Sequence, residues 1–423
     1  MAIHIRRREF LSTLCDVVVA WPLAARTDLN GRMRRIVSGA VAGASITARR
    51  LCACVGPGIF LLLTLDAIAP AAETKRVLML HSFGGDFNKP WSEYAKNIRA
   101  ELDQQSPWPL EFGDHSLMDA SNQDYSEAPF AEYLRTLYVN RPADLIVSLG
   151  GPAVAFVQRH RQQLFPTSPM IFTAVEQRRI RYSTLTENDT VVAVAHSFPA
   201  IFENILRVLP DTKIVAVVNG GSSPNERFWL EELKRETKQF TGRLTFIWYN
   251  EFSLEQILNH VAELPPQSAI FFHLMNTDAA GIVHDDGKVL KQIHSVANAP
   301  IFAHSDGFFG DGIVGGPMHS VIEGSRLTAS VAVRILGGER ASDIKVLATG
   351  FATPKFDWRE MRRWGISETR LMPGSEIYFR EPNLWDQYWL QLLAVCVVIL
   401  LQTALLAWLL YERSHRRRSQ AET

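Results

Sequence analysis

The feature that most constrains this chain is a regular alternation of short apolar runs and amphipathic helical segments between residues 76 and 349. The runs are continuously apolar, which is typical of parallel strands covered by helices on both faces. They predict strands at residues 77–80, 145–148, 170–173, 191–195, 214–218, 244–248, 269–273 and 300–303. Because so many strands fit one twisted sheet poorly, the pattern predicts an α/β fold of two doubly wound parallel-sheet lobes.

The intervening segments carry apolar residues at helical spacing. Trp91, Tyr94, Ile98 and Leu102 form one such stripe, and similar stripes occur in residues 198–209 and 224–238. The predicted N-terminal lobe comprises residues 73–185 and 311–340. The C-terminal lobe and its membrane-proximal linker comprise residues 186–310 and 341–385.

Both ends of the chain carry membrane signals. Residues 388–411 are apolar over a length sufficient to cross a bilayer, and arginines follow in the tail at 412–423. The positive-inside rule predicts that this tail is cytoplasmic and that the lobes lie in the periplasm, anchored to the inner membrane. Residues 1–72 are predicted to be an export region with two signals in series, and the first resembles a twin-arginine leader.

Composition excludes several classes. Lysine plus arginine and aspartate plus glutamate both total 44, so the chain lacks the basic field of a nucleic-acid-binding protein. None of the four cysteines lies between residues 73 and 395, so the lobes have neither a disulfide framework nor a thiolate site. No phosphate-binding loop or dinucleotide fingerprint is present, and we predict no cofactor.

Glycine-rich turns follow the first two predicted strands of the N-terminal lobe. In parallel sheets a ligand binds beyond the carboxyl ends of the strands, which places Ser82, Phe83 and Asn88 in a predicted cleft. Gly150 and Gly151 open the next helix, where free backbone amides favour a carboxylate or another anion. The alternative for both glycines is a turn that serves packing alone.

Polar residues occupy the equivalent positions after later strands. They supply donors and acceptors that could orient a small polar ligand, although such a residue taken singly is more often an Asx turn or a helix cap. The predicted ligand-binding set is completed by Thr173, Asn219, Asn225, Asn276, Thr277, Asp278 and Asp306.

An enzymatic alternative rests on histidines and carboxylates that lie close together in sequence. They form one group at His304, Asp306, Asp311 and His319 and another at 284–286. Imidazole and carboxylate groups can bind zinc, but their spacing matches no helical two-histidine motif. The glycines around Asp306 are simpler to interpret as a hinge between lobes, so we predict no metal site and no catalytic residues.

Several longer motifs carry a family resemblance. The stretches KRVLMLHSF, LPPQSAIFFHLMNTDAAG, VANAPIFAHSDGFFGDGIVGGPM and PKFDWREMRRWGI resemble the periplasmic domain of binding-protein-like bacterial sensor histidine kinases. That domain is similar to substrate-binding components of ABC transporters with the type I periplasmic binding fold.

The resemblance covers about residues 75–418 and implies two lobes that close on a small molecule. The chain departs from it after residue 418, where too few residues remain for kinase domains. We therefore predict a small-molecule-binding protein without its own kinase, partnered by a histidine kinase as a sensor or by an ABC permease as a tethered importer receptor.

Overall fold

The computed structural model describes residues 73–84, 89–117, 127–381 and 384–421. The predicted export region at 1–72 lies outside these residues, as does Asn88. The three sheets of the structure and the C-terminal helix all belong to the compact unit Thr74–Thr423.

The first lobe is built on five parallel strands in the order β2-β1-β3-β4-β5. They are β1 Lys75–His81, β2 Leu110–Ser116, β3 Leu145–Leu149, β4 Met170–Glu176 and β5 Asp189–Val194. The four predicted strands of this sheet are present. The sequence pattern missed β2, because this edge strand is only partly buried and carries polar residues.

Helices cover both faces of this sheet, as continuously apolar strands require. They are α1 Trp91–Gln105, α2 Glu127–Tyr138 and α3 Gly151–Leu164. Val77 and Met79 of β1 pack with Ile98 of α1 on one face. Leu78 and Leu80 point to the other face and pack with Phe156 of α3.

The second lobe has four parallel strands in the order β7-β6-β8-β9. The strands are β6 Ile214–Asn219, β7 Thr245–Trp248, β8 Ser268–Leu274 and β9 Ile301–Ala303, all at predicted positions. The surrounding helices are α4 Phe198–Val208, α5 Pro224–Glu236, α6 Leu254–Ala262 and α7 Asp286–Val296. A capping box between Ser223 and Glu226 starts α5 at the carboxyl end of β6.

The chain then returns to the first lobe before reaching the C-terminal helix. Helix α8, Val321–Leu336, packs along α1. A small three-stranded sheet combines β10 Gly315–Gly316, which precedes α8, with β11 Lys355–Asp357 and β12 Glu376–Tyr378, and α9 spans Trp358–Arg363. The last helix, α10, spans Leu384–Ala421.

Within α10, Tyr388–Arg413 is long and apolar enough to cross a membrane, and its most apolar window is not buried against the protein. This stretch includes the predicted span at 388–411. A single helix of this kind could anchor the protein in a membrane.

Strand pairing assigns three segments differently from the predicted lobe boundaries. Strand β5 pairs with β4 of the first sheet, although the second lobe was predicted to begin at residue 186. The segment after residue 341 also lies beside β5, where Thr190 Oγ1 donates to Ile344 O at 2.8 Å. Conversely, Val314 N donates to Ile301 O of the second lobe at 2.7 Å. An apolar run can predict a strand, but not which sheet it joins.

Candidate functional site

A cavity lies between the two lobes, at the carboxyl ends of β4 and β8. The first lobe contributes Trp91, Tyr94, Gly151, Glu176 and Arg179 to its lining. Other lining residues include His196, Asn225, Trp229, His273, His304 and His319. Aromatic walls with a few polar groups are typical of small-molecule sites.

Two of the predicted site residues, Gly151 and Asn225, line this cavity. Gly151 is the first residue of α3, and Gly150 before it has a φ of 83°, a conformation that glycine adopts without strain. Asn225 lies in the first turn of α5 and is buried. The structure thus brings one turn from each lobe to the same cavity.

The other predicted residues of the first lobe lie next to the cavity lining. Ser82 Oγ donates to Leu149 O at 2.6 Å and accepts from Ala153 N at 2.9 Å, so it fixes the start of α3. The ring of Phe83 packs on Trp91 at 4.4 Å between centroids. Thr173 is buried and shares a 2.6 Å hydrogen bond with Thr328 of α8.

Four predicted residues of the second lobe hold its loops. Asn276 Nδ2 donates to Asp286 at 3.1 Å, and Thr277 N donates to the buried Glu226 carboxylate at 2.9 Å. Asp278 accepts from three backbone amides and contacts His284 at 3.0 Å. Asp306 accepts from Val321 N at 2.7 Å, at the start of α8, and from Lys355 at 3.1 Å.

The remaining predicted residue, Asn219, acts on the cavity through a neighbour. Its Nδ2 donates to the carbonyl oxygens of Gly220 at 2.5 Å and Glu226 at 3.1 Å. Its Oδ1 is therefore an acceptor, and His273 Nδ1 lies 2.9 Å from it. Asn219 thus orients a histidine that lines the cavity.

Arg179 brings positive charge to the cavity. Its Nη1 donates to Asn225 Oδ1, and its guanidinium lies over the Phe228 ring at 4.7 Å. No Asp or Glu among the described residues forms an ion pair with it, and burial lowers its pKa to about 10. The group remains charged at neutral pH, and its charge has no carboxylate partner in the described part of the chain.

Four histidines cluster beside this arginine. The His196 ring lies 4.3 Å from that of His319 and 5.3 Å from that of His304, which is 4.5 Å from His273. Burial, reinforced by the neighbouring imidazoles, lowers the pKa of His273, His304 and His319 well below the ordinary value. These three imidazoles are therefore neutral at pH 7.

His196 is held by a carboxylate at the edge of the cavity. Its Nδ1 lies 2.6 Å from Glu176 Oε2, which also accepts from the His196 backbone N–H at 2.8 Å. Burial opposes ionisation of Glu176, but these hydrogen bonds outweigh it and lower its pKa. Glu176 also accepts from Arg178 Nε at 2.9 Å.

Sequence reasoning missed Arg179, His196 and His273, and it considered His304 and His319 only for an enzymatic site. Arg179 lies in a short turn after β4, at residues 177–179, for which the sequence predicted no role, and His196 lies two residues before α4. His273 had a usable signal, because it is a polar residue within the otherwise apolar end of β8. A polar side chain in a buried strand needs hydrogen-bond partners, and a ligand in an adjoining cavity can supply one.

The histidines and carboxylates considered for an enzymatic site do not come together in the structure. His304 and His319 line the cavity, whereas Asp311 forms ion pairs with Lys89 at 2.7 Å and Lys291 at 3.4 Å. Throughout residues 73–84, 89–117, 127–381 and 384–421, no three His, Cys, Asp or Glu side chains are arranged to hold a metal ion.

Comparison with known proteins shows the fold. The chain is similar to a conserved domain protein from Vibrio cholerae, with a TM-score of 0.55, 16% identity and coverage of 72% of this chain and 100% of that one. An ABC domain in complex with L-Trp from Streptococcus pneumonia has a TM-score of 0.53, 18% identity and the same coverage of both chains.

A ligand-free, open substrate-binding protein with adhesive properties from Clostridium difficile has a TM-score of 0.50 and 13% identity, over 73% of this chain and all of that one. No protein-family model matches the chain, and no curated protein matches it. The structural neighbours include ABC transporter solute-binding proteins, so the two-lobed periplasmic-binding-protein-like fold is confirmed. The histidine-kinase resemblance remains a prediction.

Proposed function

We propose that this protein binds a small molecule on the outer side of the inner membrane, by closing two lobes around it. The observation that carries the proposal is the cavity between the lobes, where buried polar atoms of Asn225, His273, His304 and His319 have no hydrogen-bond partner among the described residues. Buried polar groups are normally hydrogen-bonded, and a ligand held between the lobes would supply the missing partners. Ligand contacts from both lobes would favour the closed state.

The neighbours support binding rather than catalysis. The Streptococcus neighbour is an ABC domain in complex with L-Trp, and the Clostridium neighbour is a substrate-binding protein. The described cavity has a partly buried arginine and neutral histidines, but the chain has no recognisable nucleophile motif. We therefore propose a receptor for an ABC permease, or a sensor that signals to a histidine kinase.

Membrane anchoring is the second part of the proposal. Tyr388–Arg413 would cross the membrane, with Arg413 and the arginines at 416–418 on the cytoplasmic side. A reporter enzyme fused after Thr423 tests this topology. We expect activity from a cytoplasmic reporter, and activity from a periplasm-specific reporter would overturn the orientation.

A ligand screen with the full-length protein in detergent micelles tests the binding function. Amino acids, other small carboxylates, sugars and divalent metal ions are added singly, and the melting temperature is measured. A ligand at one hundred times its dissociation constant stabilises the folded state by about 2.7 kcal/mol. A binding protein returns the compound unchanged, as chromatography of the mixture would show, whereas a converted compound would indicate an enzyme.

A further inference from the structure

One buried amide in the cavity has a defined polarity and no acceptor. Asn225 is 6% exposed, and its Oδ1 accepts from Arg179 Nη1. Its Nδ2 must then present its two N–H groups, and no acceptor for them exists among the described residues. Leaving a buried donor unsatisfied destabilises a protein, so this amide calls for an oxygen from a ligand.

A buried imidazole nearby has the opposite polarity. His273 is 1% exposed, and its Nδ1 must carry the proton because it faces Asn219 Oδ1, an acceptor. Its Nε2 is then a lone-pair acceptor, and no donor for it is found in the described part of the chain. This nitrogen calls for an N–H or O–H group from a ligand.

The charge around Asn225 defines the oxygen further. A Cβ built on Gly151 would lie 2.7 Å from Arg179 Cζ, so the guanidinium stands over the first residue of α3. The amino-terminal end of a helix is electropositive. Two positive features therefore adjoin in a partly buried place. The Glu176 carboxylate also lines the cavity, but it contacts His196 and Arg178, and no carboxylate of the described residues forms an ion pair with Arg179, so an anionic oxygen would stabilise this arrangement.

We infer that the ligand is a small carboxylic acid with an N–H or O–H donor beside its carboxylate, which is the chemistry shared by α-amino and α-hydroxy acids. This inference rests on the proposed binding function. The carboxylate contacts Arg179 and Asn225 Nδ2, and the donor contacts His273 Nε2. Trp229, whose ring lies 5.1 Å from that of His273, provides an apolar wall for the rest of the molecule.

Matched compounds test each half of this assignment on the full-length protein in detergent micelles. For each of several side chains, calorimetry compares four compounds: the α-amino acid, the α-hydroxy acid, the unsubstituted acid and the amino-acid amide. With the benzyl side chain, these compounds are phenylalanine, phenyllactate, phenylpropionate and phenylalanine amide, respectively. D-Glucose and Zn²⁺ complete the panel. We expect at least one α-substituted acid to bind about tenfold or more tighter than its unsubstituted acid and its amide. Comparing the amino and hydroxy acids then distinguishes the two sources of the donor.

Variants test whether Arg179 and His273 cause the preference for α-substituted acids. Arg179→Gln should weaken binding of the preferred acid by about 30-fold, because a charge-assisted hydrogen bond is lost. His273→Phe should remove the preference for the α-substituted acid over the unsubstituted one. Arg227→Gln is the matched control, since Arg227 is exposed on the same helix as Asn225 and, among the described residues, its side chain bonds to the Ser222 backbone carbonyl and to no side chain. If His273→Phe does not fold, Asn225→Asp should still abolish acid binding by adding negative charge.

The outcomes separate this inference from the proposed function. Binding of glucose or Zn²⁺ without any acid would overturn the inference and leave a binding protein. Equal affinity for substituted and unsubstituted acids would overturn the role of His273. Absence of binding by every compound in the panel would contradict both the inference and the proposed function.

Discussion

Each lobe lines the cavity with the edge formed by the carboxyl ends of its parallel strands, and the two edges differ in charge. The first edge, which follows β3 and β4, carries charge at Glu176, Arg178 and Arg179. The second edge, which follows β6, β8 and β9, carries amides and the neutral imidazoles of His273 and His304. Equivalent positions in two parallel sheets therefore share a location without sharing a role.

The glycine pairs at these edges show the same contrast. Gly151 faces the cavity, and the atoms nearest to a Cβ there belong to the flexible Arg179 side chain. Gly220 follows β6 in a similar sequence, yet a Cβ there would collide with the Glu226 carboxylate and lie 2.8 Å from Thr277 O. One pair leaves room for a ligand, and the other lets two loops pack together.

The largest effect should come from filling the packed turn. Gly220→Val should lower the free energy of unfolding by about 4 kcal/mol, because Glu226 is fully buried and its bonds to Ser223 N and Thr277 N prevent it from moving aside. Chemical denaturation measures the change. Gly350→Val is the control, since nothing lies within 4 Å of its Cβ position. Equal stability of the two variants would contradict the distinction between the turns.

The next largest effect should be a loss of stability in acid, caused by the neutral histidines of the second edge. His273 and His304 have folded-state pKa values well below 6.5, so below pH 6.5 the unfolded chain binds protons that the folded chain does not. Stability is therefore retained above pH 6.5 and lost as the pH falls below it. At pH 5.5 the two together should lower the free energy of unfolding by about 3 kcal/mol relative to pH 7.5.

A histidine variant tests whether His304 contributes to this acid sensitivity. His304→Gln should show a smaller loss of stability between pH 7.5 and 5.5 than the unchanged protein, by about 1.4 kcal/mol. His260→Gln, at an exposed position on α6, is the control and should leave the difference unchanged. An unaltered pH response in the His304 variant would mean that other groups cause the acid sensitivity.

A smaller effect should come from filling the open turn. Gly151→Val should weaken ligand binding by about tenfold, since the new side chain displaces Arg179, while a surface-accessible turn tolerates the change with little loss of stability. Calorimetry with a ligand from the screen measures the affinity, and Gly350→Val again provides a control. Unchanged affinity would show that this turn, like Gly220, is only structural.

The smallest effect should come from the ionic contact between the edges. Arg178 Nη1 lies 2.5 Å from both Glu232 and Glu236 of α5, so it connects the first edge to the second lobe. Arg178→Gln should change ligand affinity less than about threefold, because partly exposed ion pairs contribute little. Arg243→Gln removes an exposed pair with Glu203 within the second lobe and should change nothing. A large effect of Arg178→Gln alone would indicate that this contact controls closure.

The sequence by itself determined the fold class and most of the secondary structure, although not the partly buried edge strand β2. Continuous apolar runs such as Leu145–Leu149 can only be stable when both faces of the sheet are covered, so they specify parallel sheets without further information. The sequence also predicted the apolar stripe of α1 and the long apolar stretch before the C-terminal arginines, because both features depend on local spacing alone.

Only the tertiary structure decided which side chains meet at the cavity. Asn276 and Asp278 look like ligand contacts in sequence but hold the loop after β8, because Asn276 Nδ2 donates to Asp286 and nearby backbone amides donate to Asp278. Arg179, by contrast, sits in an unremarkable turn and reaches the cavity through its contact with Asn225, 46 residues away. A polar residue's role depends on which partners come within hydrogen-bonding distance, and for partners far apart in sequence the packing of the two lobes sets that distance.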